Sequence, residues 1–149
     1  MQYQSNGHSR ILMADDDDDY YLIAKEVMED LGLGDYFYRV ADGEELMDYL
    51  LFRNQYQNPA SAPKPSLLFL DLNMPRKSGM EALKEMRANP ELRRIPIVIF
   101  TVSRDKKDID QCYLLGANSF VTKPPTFDAF SQVFKTMKEY WLKTVALPS

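Results

Sequence analysis

Two acidic positions far apart in the chain share one local context. Asp71 closes the apolar run Leu67-Leu68-Phe69-Leu70 and is followed by Asn73-Met74-Pro75 and Gly79, while Ile11-Leu12-Met13-Ala14 runs straight into the aspartates Asp15 to Asp19. Such an apolar run reads as a fully buried strand, and Met-Pro followed by Gly as the turn that leaves it. A carboxylate at the carboxyl end of a buried strand faces the crevice in which open α/β sheets do their chemistry. If the two strands are neighbours, Asp15, Asp16 and Asp71 converge, and like charges that close cannot all ionise without a counter-charge. Either a pKa rises, or a hard cation such as Mg²⁺ sits among the oxygens. Mg²⁺ takes one or two carboxylates and keeps several waters, which leaves room for an incoming phosphoryl group.

Two further polar residues end strand candidates at the same edge. Lys123, followed by Pro124, stands just past the fifth, where its ammonium would pair with Asp71 and later with a phosphoryl oxygen. Thr101 ends the fourth and offers a hydroxyl to the same group. The set suits phosphoryl transfer onto a carboxylate, with Asp71 as nucleophile and Lys123 and Thr101 stabilising the transferred oxygens. Taken singly, each residue also has a plain reading. Asp15 to Asp19 would serve as an acid-rich helix start, and this accounts for Asp18 and Asp19, with Asp17 as a helix cap. Asp71 would be a turn residue, Lys123 a surface lysine, Thr101 a strand residue and Phe120 core. The meeting of four polar strand ends at one edge favours the chemical reading.

Apolar runs and amphipathic stretches alternate along the chain. Strands are predicted at 11–14, 36–40, 67–70, 97–100 and 120–121. Helices are predicted at 18–31, 44–52, 80–88, 106–115 and 127–142. In the first helix Tyr20, Ile23, Val27 and Leu31 share a face and Gly32 supplies the stop; the fourth ends at Gly116, and the fifth begins after the cap Thr126. Five βα units predict an α/β fold, a five-stranded parallel sheet with helices on both faces, doubly wound in the flavodoxin-like manner. The connection 53–66, with Pro59, Pro63 and Pro65, reads as a surface excursion within one domain.

The chain has 149 residues and a net charge of −4, a size for one domain and a balance that disfavours nucleic acid as partner. No run approaches the roughly 20 apolar residues of a membrane span, and residues 1–9 form a polar leader without a signal-peptide core, so the cytoplasm is the expected compartment. The lone Cys112 excludes an internal disulfide and a cysteine-based zinc site, and falls where a core residue is expected. His8, in the leader, has no companion histidine and reads as a surface residue.

The pattern Asp15-Asp16, then Asp71-Leu72-Asn73-Met74-Pro75 with Gly79, then Thr101, then Lys123-Pro124 resembles the receiver domain of two-component response regulators over residues 11–142. Asp71 through Lys77, Asn89 through Pro96, and the ending Tyr140-Trp141-Leu142 through Leu147-Pro148 are similar to the stand-alone receivers that partner phytochrome-type histidine kinases. The resemblance implies a phosphoprotein of a phosphorelay in which Asp71 is the phosphoacceptor. Asp15, Asp16, Asp71 and the backbone carbonyl of Asn73 would ligate Mg²⁺ or Mn²⁺, and Lys123 and Thr101 would contact the phosphoryl group. Phe120 matches a switch aromatic that turns inward as Thr101 moves, biasing the face formed by 106–115, the fifth strand and 127–142. Residues 10–143 would be the receiver domain and 144–149 a short tail without an output domain. Three departures stand out. Val102, where the family has a smaller residue, would crowd the switch, Ser78 replaces a common Asp, and Pro125 stands where many members have Phe.

The implied protein is not an enzyme in the turnover sense; it catalyses only its own modification. Its partners would be a sensor histidine kinase of the phytochrome type, a downstream protein or phosphotransfer domain, and a second copy of itself. Aromatic residues Phe127, Phe130, Phe134, Tyr140 and Trp141 supply the last helix with more apolar surface than one narrow stripe. Two other readings compete. A haloacid-dehalogenase-like phosphatase would need an acid two residues past the nucleophile, where Asn73 stands and cannot donate. A pseudo-receiver adaptor would never take phosphate, against which the complete set of acidic residues, Thr and Lys argues.

Overall fold

In the computed structural model, which describes residues 9–148, the apolar runs form five parallel strands in the order β2-β1-β3-β4-β5. These are β1 (Ile11–Ala14), β2 (Phe37–Val40), β3 (Leu67–Leu70), β4 (Ile97–Thr101) and β5 (Ser119–Thr122). The helices between them are α1 (Asp18–Asp30), α2 (Gly43–Leu50), α3 (Gly79–Ala88), α4 (Lys106–Leu115) and α5 (Phe127–Glu139). The doubly wound parallel sheet is thus as expected. Residues 1–8 of the leader, with His8, and Ser149 lie outside the described residues.

Side chains alternate across the sheet, so each strand feeds two cores. Leu12, Ala14, Leu68, Leu70, Ile97 and Ile99 pack with Leu46, Leu83 and Cys112 from α2, α3 and α4. Ile11, Met13, Leu67, Phe69, Val98 and Phe100 pack with Val27 and Met28 of α1 and Phe130 and Phe134 of α5. Phe130 stacks on Phe100 at 5.0 Å between ring centroids and Phe134 meets Phe69 edge-on at 5.1 Å. Burying each such ring contributes roughly 1.5–3 kcal/mol, which fixes α5 against the sheet.

Several boundaries differ from the predicted ones. Tyr36 closes a 3₁₀ turn (Gly34–Tyr36) rather than opening β2, and β5 is twice the predicted length, paired with β4 from Val98↔Ser119 to Thr101↔Thr122. Leu31 is the C-cap of α1 and 42% exposed, because Gly32 turns left-handed (φ 75°) and takes the chain away from the sheet. α2 stops at Leu50, since Phe52 and Asn54 also adopt positive φ. α5 is regular only to Glu139 and widens into a π turn over Tyr140–Thr144. Of its aromatics, Phe130 and Phe134 are core, Trp141 is partly buried, and Phe127 and Tyr140 are exposed. The 53–66 connection carries two 3₁₀ turns, Asn54–Tyr56 and Pro59–Ser61, and is tied down by Tyr49, whose hydroxyl donates to the Pro63 carbonyl at 2.8 Å. Among the described residues no helix is long and apolar enough to cross a membrane.

Candidate functional site: an acidic pocket at the carboxyl edge of the sheet

Register alone brings the two acidic segments together. β1 and β3 are neighbours paired Ala14↔Leu70, and the next rung has the Asp71 N–H donating to the Ala14 carbonyl at 3.0 Å. Asp15 and Asp71 therefore end adjacent strands side by side. Carboxylate oxygens of Asp15, Asp16 and Asp71 all lie within 4.8 Å of one another. Asp15 and Asp71 are buried and Asp16 is exposed at the mouth. The aspartates that follow do something else. Asp17 caps α1, accepting from the N–H groups of Asp19 and Tyr20 at 2.9 and 3.1 Å, and Asp18 and Asp19 occupy the first turn, where the helix dipole favours them.

Lys123 reaches the pocket from just beyond β5, its N–H donating to the Thr101 carbonyl at 2.6 Å. Its side chain is buried, and Nζ lies 2.5 Å from Asp15 Oδ2 and 3.3 Å from Asp71 Oδ2. The sequence pointed to Asp71 as its partner; the structure adds Asp15 and makes it the nearer one. Burial pushes the Asp15 carboxyl from 3.8 up to about 6, against the pull of Lys123, with the Asp71 charge adding to the rise. Burial pulls the Lys123 ammonium down, and Asp71 and Asp15 more than offset it, so it rises above 10.5. At pH 7 both members of the pair are charged. Three clustered carboxylates, two of them paired with a single ammonium, leave a local deficit of positive charge, and the donors are all hard oxygens. A divalent cation of the Mg²⁺ class fits this donor set.

Thr101, the last residue of β4, is fully buried, and among the described residues its hydroxyl finds no hydrogen-bond partner. Leaving such a group unbonded costs about 1–3 kcal/mol, so a bonding partner introduced at the pocket has something to gain. Thr101 falls in alternation with Ile97 and Ile99, on the α2–α4 side of the sheet, and Phe120, paired with Ile99, packs partly buried against that same core. Val102 does not crowd this side: 55% exposed, it stands in solvent. Ser78 has a task of its own, forming a capping box with Glu81 at the start of α3.

The β3–α3 loop is held close. An ideal Cβ on Gly79 would lie 2.0 Å from the Asp71 carbonyl oxygen, so only glycine lets α3 begin there. The Gly79 N–H donates to the Leu72 carbonyl, and the Asn73 N–H donates to Asp71 Oδ1 at 3.2 Å, orienting the carboxylate. Arg76 takes φ 67° in a three-residue turn closed by the Lys77 N–H on the Pro75 carbonyl, a conformation that stores strain beside the pocket.

Sequence reasoning missed two groups. Arg39 of β2 donates through Nε to the Asp15 backbone carbonyl and through its terminal nitrogen to Asp18 Oδ1, both at 2.9 Å, with its guanidinium 4.7 Å from the Tyr21 ring centroid. Tyr20 places its ring 4.3 Å from Lys123 Nζ. Asp15 is thus gripped at its main chain by one cation and at its carboxylate by another, each seated on one of two consecutive tyrosines. The pair Tyr20-Tyr21 after an acidic run was visible; which cations they would meet depended on strand order.

Residues 11–135 match the family described as response regulator receiver domain. The response regulator Rcp1 of Synechocystis sp. is 32% identical over the whole chain and 99% of that protein. Among solved structures, the phosphorylated cyanobacterial phytochrome response regulator RcpA superposes with a TM-score of 0.90 at 34% identity, covering 96% of this chain and all of that one. The Mn²⁺-bound form of Rcp1 superposes with a TM-score of 0.85 at 31% identity, covering 95% and 99%.

Proposed function

The chain belongs to the response regulator receiver family, and from that premise we propose that it is a switch set by one phosphoryl group carried on Asp71. The observation that carries the reading is the convergence of Asp15, Asp16 and Asp71 around an ammonium shared by two of them. In the reaction an Asp71 carboxylate oxygen attacks phosphorus, a new P–O bond forms, and the bond from phosphorus to the donor breaks. With a phosphohistidine the electron pair leaves on the imidazole nitrogen; with acetyl phosphate it leaves on acetate. The Asn73 N–H holds the Asp71 carboxylate in place for the attack, Lys123 transfers its contact from Asp15 to a phosphoryl oxygen, and the unbonded Thr101 hydroxyl donates to another. Asp15, Asp16, Asp71 and the backbone carbonyl of Asn73 would hold Mg²⁺ or Mn²⁺, whose charge offsets that of the acidic cluster and of the transferring group.

Output follows from the shared sheet face of Thr101 and Phe120. As Thr101 moves toward the phosphoryl group, Phe120 fills the space behind it, altering the surface of α4, β5 and α5. The message then passes by protein contact: to a second copy, to a downstream protein, or as phosphate to a phosphotransfer domain. The relatives described as phytochrome response regulators support a sensor histidine kinase of the phytochrome type as the phosphate source.

With Mg²⁺ and acetyl phosphate the protein should gain one acid-labile phosphate, abolished by Asp71→Asn. Multiple turnover on phosphate esters would instead mark a phosphatase, and no incorporation under any donor would mark an adaptor.

A further inference from the structure

Lys123 carries three ammonium protons, and three groups among the described residues engage them. Two are carboxylates, Asp15 and Asp71; the third is the aromatic face of Tyr20, 4.3 Å from Nζ to the ring centroid. That separation is well inside the roughly 6 Å over which a ring's quadrupole attracts a cation. The ring is not free to drift. The Tyr20 N–H is held by the Asp17 cap at 3.1 Å, and the ring packs at 4.9 Å from Phe130 and edge-on at 6.3 Å from Phe127, both on α5. Phe130 is itself fully buried.

The proposed reaction sets Lys123 a specific problem. Its ammonium has to leave Asp15 for a phosphoryl oxygen while staying charged at a buried position. A third carboxylate beside it would compete with the phosphoryl group for the same protons. An aromatic face attracts the ammonium without offering an anion, and that attraction depends weakly on direction, so Nζ slides without being released. We propose that Tyr20 is the positioning residue for Lys123: its ring holds the ammonium beside Asp71 while the carboxylate partners change. The proposal rests on the reading of Asp71 as phosphoacceptor.

The test separates ring electrostatics from ring packing. Position 20 is compared as the native tyrosine, as Tyr20→Phe, as Tyr20→Leu, and with pentafluorophenylalanine, which keeps the shape of phenylalanine and reverses the polarity of its face. Initial rates of acid-labile phosphate incorporation from acetyl phosphate are measured in excess Mg²⁺, with the rise in thermal midpoint on adding beryllofluoride. Tyr20→Phe should stay within about twofold of the native rate, while the pentafluoro side chain and Tyr20→Leu should lower it roughly three- to tenfold and shrink the beryllofluoride response. Equal rates for phenylalanine and its pentafluoro analogue would overturn the proposal, because they would leave packing as the only role. Absence of phosphate on the native protein would overturn the Asp71 reading and this proposal with it.

Discussion

Replacing Asp15 by asparagine should stabilise the metal-free protein, and by an amount that depends on pH in a defined way. Asp15 is 1% exposed, and burial raises its carboxyl from 3.8 to about 6. A folded-state pKa above the unfolded one means that folding favours the protonated form. Below pH 3.8 both states are protonated and there is no penalty. Between pH 3.8 and 6 the unfolded chain gives up its proton more readily, so stability falls as pH rises; above pH 6 the full penalty is present. The gap corresponds to about 3 kcal/mol, taking 1.36 kcal/mol per pH unit. Asparagine is the neutral isostere of the protonated form, so Asp15→Asn should match the wild type near pH 4 and exceed it by about 3 kcal/mol at pH 7 to 8. In a domain of this size that is about 6–12 °C in midpoint. Thermal unfolding of both proteins from pH 4 to 8 in a chelator reads the difference directly. Excess Mg²⁺ should close the gap from the wild-type side only, since the cation favours the ionised carboxylate. A difference that is flat with pH, or a wild type more stable than the variant at pH 8, would refute the argument that burial dominates over Lys123 at this site.

Other substitutions test other parts of the pocket. Lys123→Ala leaves two buried carboxylates without their ammonium. In a chelator it should therefore cost roughly 3–5 kcal/mol of stability by denaturant titration. The same variant should weaken the beryllofluoride response more than Mg²⁺ binding; equal losses would contradict the phosphoryl-contact role of Lys123. Gly79→Ala forces a methyl into the Asp71 carbonyl. It should cost about 1–3 kcal/mol and slow phosphorylation, and a midpoint unchanged from wild type would show that α3 can start elsewhere. Burial, aided by the Asp108 charge, pushes the Cys112 thiol up to about 11. The native protein should accordingly ignore thiol reagents at pH 8 and react with one equivalent on unfolding; prompt native reaction would mean that the α4 core opens.

The parts of this molecule that depend on local pattern were legible in the sequence. Four-residue apolar runs leading into Asp15 and Asp71 read as buried strands, too short for helices, and the caps Asp17 and Thr126 with the stop at Gly32 marked helix ends through backbone bonding that acts within a few residues. The errors lie where several conformations suit the same residues. Tyr36 has strand propensity but is drawn into a turn after Gly34, and the apolar Leu142 prolonged a helical pattern past the point where the backbone widens at Tyr140. The Asp15–Lys123 pair was hidden for another reason. It joins residues 108 apart in sequence whose strands, β1 and β5, are separated by β3 and β4, so that only the reach of the lysine side chain back across the sheet edge brings them together. Arg39 was hidden likewise, as an ordinary polar residue of a half-exposed strand until β2 was placed beside β1.

The solitary hydroxyl of Thr101 bears on how easily such a molecule changes state. In most buried polar sites a newcomer must evict an existing tenant, so each bond made is set against one lost. If Asp71 carries the phosphoryl group as proposed, an oxygen arriving there would meet a donor that bonds to no other described residue, a gain of up to about 1–3 kcal/mol. An incentive of that size would act at the pocket itself, before any helix shifts.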